Sequence, residues 1–269
     1  MIYKLSIRLW PLGRVTGWLA KLPVLGPYLQ PRLFDPAESQ AIMIPVHEAI
    51  QGGDSVILPY TLLPALVQQA SHRAVLNHCM CREAEGCQAY PQDLGCLFLG
   101  EGATQIDPSL GRLVDVGEAL AHVERAMDLG LMPTILHSSL DAFMLQIPFR
   151  RMLAICFCCD CCCTIRKGMR MGPPAAWQTV TRLPGLTVAV ADTCTGCGRC
   201  MDRCPVEAIS LSGGRAIISE QCKGCGACVA ACPVGAISLQ VADGIDVTGA
   251  LLTLVEARTN ISEVIHEDS

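Results

Sequence analysis

Eight cysteines near the C-terminus repeat one spacing twice, and this repeat constrains the fold more than any other feature of the chain. Each copy reads Cys-x2-Cys-x2-Cys-x3-Cys-Pro. Zinc sites use C-x2-C pairs, but a third cysteine at the same spacing followed by x3-Cys-Pro is not typical of them. The repeat therefore predicts two iron–sulfur centres rather than two zinc ribbons. The cysteines are Cys194, Cys197, Cys200 and Cys204 in the first copy, and Cys222, Cys225, Cys228 and Cys232 in the second.

The two copies resemble the two-cluster bacterial-type ferredoxins over residues 187–242. In that family each run holds a [4Fe–4S] cluster, and its fourth cysteine binds the cluster of the other run. The resemblance implies two [4Fe–4S] clusters with crossed ligand sets. Cluster A would take Cys194, Cys197, Cys200 and Cys232, and cluster B would take Cys222, Cys225, Cys228 and Cys204.

Eighteen cysteines in 269 residues make disulfides or metal ligation the first question. Disulfide scaffolds are usually short secreted chains, and the apolar N-terminal stretch is too interrupted for a signal peptide. No segment approaches the roughly 20 apolar residues that a membrane-spanning helix needs. We expect a protein of a reducing cytoplasm, in an anaerobe. The net charge of −5 argues against a nucleic-acid partner, which would call for a basic excess.

The order of motifs predicts an α+β protein, with a Cys-rich mixed α/β N-terminal domain before a small ferredoxin-like domain. Gly and Pro residues punctuate the chain between these domains and mark a linker. The predicted segments are a basic leader at 1–34, the Cys-rich domain at 35–170, the linker at 171–186, the ferredoxin domain at 187–242 and a tail at 243–269.

Local patterns predict several elements. Val116–Leu129 has apolar residues at helical spacing, Asp115 as its N-cap and Gly130 at its end, and Leu62–Ala70 also has a helical period. Branched and apolar runs predict strands. These runs are Ala74–Asn77, Ala142–Ile147, Met152–Cys156, Thr187–Ala191 and Ala236–Val241, with a hairpin formed by Ile209–Leu211 and Ala216–Ser219.

Ten further cysteines lie upstream in spacings that are not those of a ferredoxin. Ten thiols are enough for two more cubanes, for one cluster and a redox-active dithiol, or for zinc. Six thiols within the sequence CFCCDCCC cannot all be inert core, because unligated neighbouring thiols oxidise readily. We therefore expect one or two further iron–sulfur clusters, with zinc as the alternative. The candidate ligands are Cys79, Cys81, Cys87, Cys96, Cys156, Cys158, Cys159, Cys161, Cys162 and Cys163.

The upstream region also resembles a group of ferredoxin-fused proteins from anaerobic bacteria and archaea. Its Cys-x-Cys-Arg, Leu-Gly-Cys-Leu-Phe-Leu-Gly and dense Cys elements carry this resemblance, which covers most of residues 56–242. It implies an iron–sulfur redox protein and indicates no substrate.

Three other side chains are candidates near the thiols. Arg82 directly follows a cysteine and is placed to neutralise a cluster or bind an anion, although a solvated or ion-paired arginine fits the sequence equally well. His137 follows an apolar run and is a weak candidate for the Cys-rich site, whereas His122 is predicted to lie on the surface of its helix.

The leader contains aromatic residues, several bases and apolar residues near helical spacing. Pro11, Pro23 and Pro27 predict that it is not one long helix. We expect it to cover the protein's own core or to dock on a partner, and favour both over a membrane surface.

Two functions fit these features. The first is an electron-transfer protein that serves a redox partner protein through the ferredoxin clusters and the upstream centres. The second is an iron–sulfur reductase, with a substrate or disulfide site among the upstream cysteines. An upstream metal site with an incomplete set of protein ligands would favour the reductase.

Overall fold

A computed structural model of the chain describes residues 2–45, 50–52, 55–57 and 62–262. Its mixture of helices and strands confirms the α+β class. None of the helices in these ranges is both long and apolar enough to cross a membrane. The helices are α1 (Ile2–Leu19), α2 (Gly26–Leu33), α3 (Leu62–Gln69), α4 (Met80–Glu85), α5 (Val116–Asp128), α6 (Ser139–Leu145), α7 (Thr164–Met171), α8 (Ala175–Gln178), α9 (Arg199–Arg203), α10 (Ala227–Ala230) and α11 (Val247–Glu256). The strands are β1 (Ser39–Met43), β2 (Ile50–Gly52), β3 (Ser55–Ile57), β4 (Arg73–Leu76), β5 (Leu97–Leu99), β6 (Gly111–Leu113), β7 (Met132–Ser138), β8 (Leu153–Cys158), β9 (Val180–Thr181), β10 (Leu186–Val190), β11 (Ile209–Ser212), β12 (Arg215–Ile218) and β13 (Ile237–Val241).

The larger sheet has seven strands in the order β6-β4-β5-β8-β7-β1-β9. Neighbouring strands are antiparallel, except that β1 and β9 run parallel. Every residue of β7 and β8 is buried. Burial at every position means that both faces of these central strands are covered. Helix α5 packs on β4 and β7, and α3 packs on α5.

The smaller sheet joins the C-terminal part of the chain to the N-terminal part. β10 pairs antiparallel with β13, with Leu186 opposite Val241. β2 pairs parallel with β13, with Ile50 opposite Leu239, and β3 lies at the edge. The predicted segments 35–170 and 187–242 therefore share one hydrogen-bonded sheet. The hairpin of β11 and β12 is separate.

Most of the predicted elements are present, with ends that differ by one or two residues. Helix α5 begins as predicted, because the Asp115 side chain accepts a hydrogen bond from the Glu118 N–H at 2.8 Å. The strand predicted at Ala142–Ile147 is wrong, because most of it lies in α6. Ser138 caps this helix, and a short, mostly apolar run does not by itself distinguish a strand from a buried helix.

The predicted linker and tail both carry structure. α8 and β9 lie within 171–186, and β9 pairs with β1. Helix α11 lies within the tail and buries Val247, Leu251 and Val255 in the main core. Residues 263–269 of the tail lie outside the described residues.

The leader forms two helices, α1 and α2, rather than one, as predicted, but Pro11 lies inside α1 and the break comes at residues 20–25. One face of α1 packs on the core through Tyr3, Ile7 and Trp10. This helix contacts α4, α6 and α7, which surround the upstream cysteines.

Candidate metal centres

The first ferredoxin-like site is a cavity at the exposed end of the C-terminal region. Cys194, Cys197, Cys200 and Cys232 line it together, and these are the four ligands predicted for cluster A. Its loop depends on Gly196, which has a φ of +65° and lies against the hairpin. A Cβ atom at this position would lie 2.4 Å from the Gly214 carbonyl oxygen, so no larger residue fits.

The second site brings Cys204 beside the cysteines of the other run. Burial raises the pKa of Cys228 to about 12, and Cys225, Cys222 and Cys204 add to this shift through their negative charge. Burial likewise raises the pKa of Cys225, and Cys222 and Cys204 again contribute. The four ligands predicted for cluster B are therefore neighbours.

Backbone N–H groups point at the sulfur atoms of both sites. The Ala208 N–H donates to Cys204 Sγ at 3.2 Å, and the Ala236 N–H donates to Cys232 Sγ at 3.2 Å. The same contact recurs because the two runs are an internal duplication. Such N–H donors stabilise negative charge on thiolates, as an iron–sulfur site requires.

The topology of the larger sheet brings the upstream cysteines together at one end of three neighbouring strands. Because β4, β5 and β8 are antiparallel neighbours, the end of β4, the start of β5 and the end of β8 meet there. Cys79 and Cys81 follow β4, Cys96 precedes β5, and the dense cysteine run begins within β8 and continues into the loop after it. Residues far apart in sequence thus form two groups of thiols.

The first group, the four-thiol group, consists of Cys87, Cys159, Cys161 and Cys162. Their Sγ atoms all lie within 4.8 Å of one another, and those of Cys87 and Cys161 are 3.7 Å apart. The Cys162 N–H donates to Cys159 Sγ at 3.3 Å. Only Cys161 of the four is exposed.

The second group, the six-thiol group, contains the remaining upstream cysteines and is almost entirely buried. Side-chain contacts connect its members in a chain that runs Cys156, Cys96, Cys79, Cys81, Cys163 and Cys158. The Cys96 thiol donates to Cys156 Sγ at 3.4 Å, and the Cys163 thiol donates to Cys158 Sγ at 2.9 Å. Cys81 is the one member of this group that is partly accessible.

Arg82 lies close to cysteines of both groups and is 1% exposed. Its guanidinium donates to the Phe157 carbonyl at 2.8 Å and to the Leu94 carbonyl, and its Nε has no hydrogen-bond partner. Burial opposes the charged form, but negative charge at Cys79, Cys96 and Cys159 raises the pKa of Arg82 above its usual value. The solvated alternative for Arg82 is therefore wrong.

Two side chains near the six-thiol group were not predicted from the sequence. Asp141, at the start of α6, is buried, and burial together with the charge of Cys79 raises the pKa of its carboxyl to about 7. Tyr3 of α1 donates to Glu83 Oε2 at 2.8 Å, and burial followed by this bond raises the Tyr3 pKa. No local sequence pattern indicates that Asp141 lies near Cys79 or that Tyr3 contacts Glu83.

The two histidines lie elsewhere than predicted. His122 is not a surface residue: its ring packs edge-on against Phe157, and its Nε2 donates to the Gly95 carbonyl at 2.8 Å. His137 is buried, but it stacks on Phe149 and donates to the carbonyl of that residue at 2.7 Å. These contacts assign both rings to packing, and burial lowers the pKa of each.

The ferredoxin-like sites and the upstream groups are in contact. Arg203, beside Cys204, pairs with Asp160 of the dense cysteine run at 3.8 Å. Cys204, Cys222 and Cys225 pack against the main core, whereas Cys197 on the other side is exposed. The second site is therefore the inner one, and it faces the upstream cysteines.

Comparison with known proteins agrees with this geometry. Residues 187–245 match the 4Fe-4S dicluster domain family. No curated protein and no solved structure matches the chain. Residues 187–245 are thus a ferredoxin-type iron–sulfur domain, and the chain is an iron–sulfur electron-transfer protein.

Proposed function

We propose that this protein carries single electrons between a redox partner protein and an upstream metal centre, by way of two [4Fe–4S] clusters in the ferredoxin-type domain. A bound [4Fe–4S] cluster supplies reversible one-electron transfer at low potential. Cluster A is held by Cys194, Cys197, Cys200 and Cys232, and cluster B by Cys222, Cys225, Cys228 and Cys204. The six-thiol group holds a further iron–sulfur cluster with four of its thiols.

The buried guanidinium of Arg82 is the observation that carries the upstream part of this proposal. An arginine is always charged in a protein, and a buried charge is unfavourable unless an opposite charge compensates it. Its guanidinium donates to two carbonyl groups, and the negative charges that act on it are those of the thiols Cys79, Cys96 and Cys159. Neutral thiols would leave the cation without compensation, whereas metal-bound thiolates supply negative charge close to it.

The residues of the protein have separate tasks in this function. The exposed loop of cluster A provides the side at which a partner exchanges electrons, since Cys197, Met201 and Val234 are exposed there. The inner site is covered by the core, and backbone N–H donors hold its sulfur atoms in place. A reducing cytoplasm, as the sequence predicts, would keep the eighteen cysteines available as metal ligands.

Iron and acid-labile sulfide per chain test the proposal on anaerobically purified protein. Two ferredoxin cubanes account for about eight irons, and a further cubane brings the total to about twelve. The double variant Cys96→Ala/Cys156→Ala should lower the count by about four irons and leave the ferredoxin EPR signals unchanged. About eight irons in both proteins would contradict the upstream cluster.

The alternative function is a disulfide reductase, and the size of the six-thiol group favours it. Six thiols are two more than one cubane binds, and the Sγ atoms of Cys158 and Cys163 are already 2.9 Å apart. Such a dithiol would reduce a substrate disulfide to two thiols and become a disulfide itself, and two electrons and two protons would restore it. Alkylation of the reduced holoprotein distinguishes the two functions: two modified thiols with full iron content would favour the reductase.

A further inference from the structure

We propose that the four-thiol group binds a single tetrahedral metal ion, not a cluster. The ligands would be Cys87, Cys159, Cys161 and Cys162, each of which loses its proton on binding. This inference rests on the proposed function, because it divides the upstream cysteines between a cluster in the six-thiol group and one ion in the four-thiol group.

The spacing of the sulfur atoms carries the argument. Zinc–sulfur bonds of about 2.3 Å in a tetrahedron place the sulfur atoms about 3.8 Å apart. Cys87 Sγ and Cys161 Sγ are 3.7 Å apart, and all four Sγ atoms lie within 4.8 Å of one another. One ion at the centre of the group would therefore reach four sulfur atoms with little movement of the side chains.

The ferredoxin-type sites provide an internal comparison. The four thiolates of a cubane bind four different irons, so their sulfur atoms must stand further apart than those around one ion. Among the described residues, the four-thiol group is the one set of at least three ligand residues whose atoms all lie within 4.8 Å. The eight ferredoxin cysteines and the six-thiol group also belong to the described residues, and neither contains three sulfur atoms this close together, although Cys96 and Cys156, and Cys158 and Cys163, are close as pairs.

The chemistry of the group also fits one ion. Four thiolates are soft ligands that select zinc or iron, and four protein ligands complete a tetrahedron without leaving an open position. The ligands come from two separate loops, since Cys87 follows α4 and the others follow β8. The ion would connect these two loops close to Arg82, whose charge offsets that of Cys159.

Metal analysis and X-ray absorption on the anaerobic full-length protein test this inference. Besides its iron–sulfur clusters, the wild type should contain one further ion with four sulfur neighbours at about 2.3 Å. A zinc ion gives this sulfur shell at the zinc absorption edge with no metal–metal scattering, and a single iron gives a rubredoxin-like difference spectrum between the wild type and Cys161→Ser. Cys161→Ser, at an exposed ligand, should lose this one ion and keep its ferredoxin EPR signals. The matched variant Cys81→Ser, in the six-thiol group, should keep it.

Three outcomes are decisive. Loss of one zinc or one iron in Cys161→Ser, but not in Cys81→Ser, supports the single ion. Loss of about four irons in Cys161→Ser, with no zinc in the wild type, overturns it in favour of a cubane. Absence of ferredoxin EPR signals from the wild type would instead contradict the proposed function, independently of the four-thiol group.

A second inference comes from the outer surface of α1 and α2, which we propose binds an anionic membrane surface. One side of α1 packs on the core, but Leu5, Leu9 and Leu12 recur at helical spacing on the other side and are about half exposed. Trp18 in α1 and Tyr28 in α2 are also exposed, and such aromatic side chains favour the membrane–water interface.

The charge of this region indicates that its binding partner is an anionic surface. Residues 2–34 contain five basic side chains and no acidic one, although the whole chain has a net charge of −5. Exposed bases beside an apolar stripe are typical of helices that lie flat on anionic lipid. Lys4, Arg8 and Arg32 are all exposed, and so they are available to lipid headgroups.

Co-sedimentation with vesicles tests this inference. The protein should bind vesicles of phosphatidylcholine with phosphatidylserine at low salt, and bind pure phosphatidylcholine much more weakly. Leu5→Glu/Leu9→Glu should reduce binding at least tenfold, whereas Leu113→Glu, at a similarly exposed leucine on β6, should not. Equal binding by both variants, or none by the wild type, would overturn the inference.

Discussion

At the scale of single residues, Arg82 and the crossed cysteines decide what the protein can bind. The sequence places Arg82 beside a cysteine but does not distinguish a solvated arginine from one that neutralises a centre. The fold buries it close to cysteines of both groups of thiols. A permanent charge in that position indicates permanent negative charge around it.

Replacing Arg82 should therefore destabilise the upstream region. In Arg82→Met the anionic thiolates lose their cation and two carbonyls lose their donor, so that we expect the free energy of unfolding to fall by about 3–5 kcal/mol. Arg82→Lys keeps the charge but cannot bridge both carbonyls, and should be intermediate. Denaturant unfolding under anaerobic conditions measures the change.

Arg203→Met is the matched control for this experiment. Arg203 is about half exposed and pairs with Asp160 at 3.8 Å. Loss of such a surface pair costs about 0–1 kcal/mol. Equal stability of Arg82→Met and Arg203→Met would mean that the upstream thiols carry no compensating charge.

The crossed ligation predicts a specific pattern among double variants. If Cys204 and Cys225 bind the same cluster, Cys204→Ser/Cys225→Ser should lose about four irons, as many as either single variant. Cys204→Ser/Cys197→Ser removes a ligand from both clusters and should lose about eight. Iron analysis with EPR of the reduced protein gives the counts, and the reverse pattern would show that each run binds its own cluster.

At the scale of elements, segments that look peripheral in sequence are part of the fold. The predicted linker supplies β9 to the larger sheet, and β2 from the N-terminal part joins the sheet of the ferredoxin-type domain. Helix α11 from the predicted tail lies on α3. The two parts of the chain therefore depend on each other for stability.

Helix α11 gives a direct test of this dependence. Leu251 is fully buried in the main core, so Leu251→Ala should lower the free energy of unfolding by about 2–5 kcal/mol. Thr253→Ala, at an exposed position of the same helix, should change it by about 0.5 kcal/mol or less. An unchanged unfolding midpoint in Leu251→Ala would indicate that α11 is dispensable.

At the scale of the whole molecule, the metal centres differ in their exposure. The site of Cys194 and Cys197 opens to solvent, that of Cys222 and Cys225 packs on the core, and the six-thiol group is buried. Such a decrease in exposure would let a redox partner reach the first site, while the six-thiol group stays shielded from solvent.

Chemical oxidation should follow the same gradient. Ferricyanide should release iron from the wild type in a fast and a slow phase, because cluster A is the most accessible. The fast phase should be missing from Cys197→Ser, which lacks a ligand of that cluster, and should remain in Cys225→Ser. A fast phase that disappears in Cys225→Ser instead would contradict the proposed order of the sites. Iron release followed with a chelator measures both phases.

The sequence by itself determined the ferredoxin-type domain, because its ligands lie within two short runs and their spacing alone defines the loops. It also predicted α5 and the strands of that domain, whose signals are local caps and periods. The tertiary structure decided the division of the ten upstream cysteines. Those cysteines lie near the ends of three antiparallel strands, and only the pairing of β4, β5 and β8 brings Cys87 to Cys161 and Cys96 to Cys156. Contacts between residues 60 or more positions apart leave no local spacing in a sequence, and so the fold alone places Arg82 close to both groups.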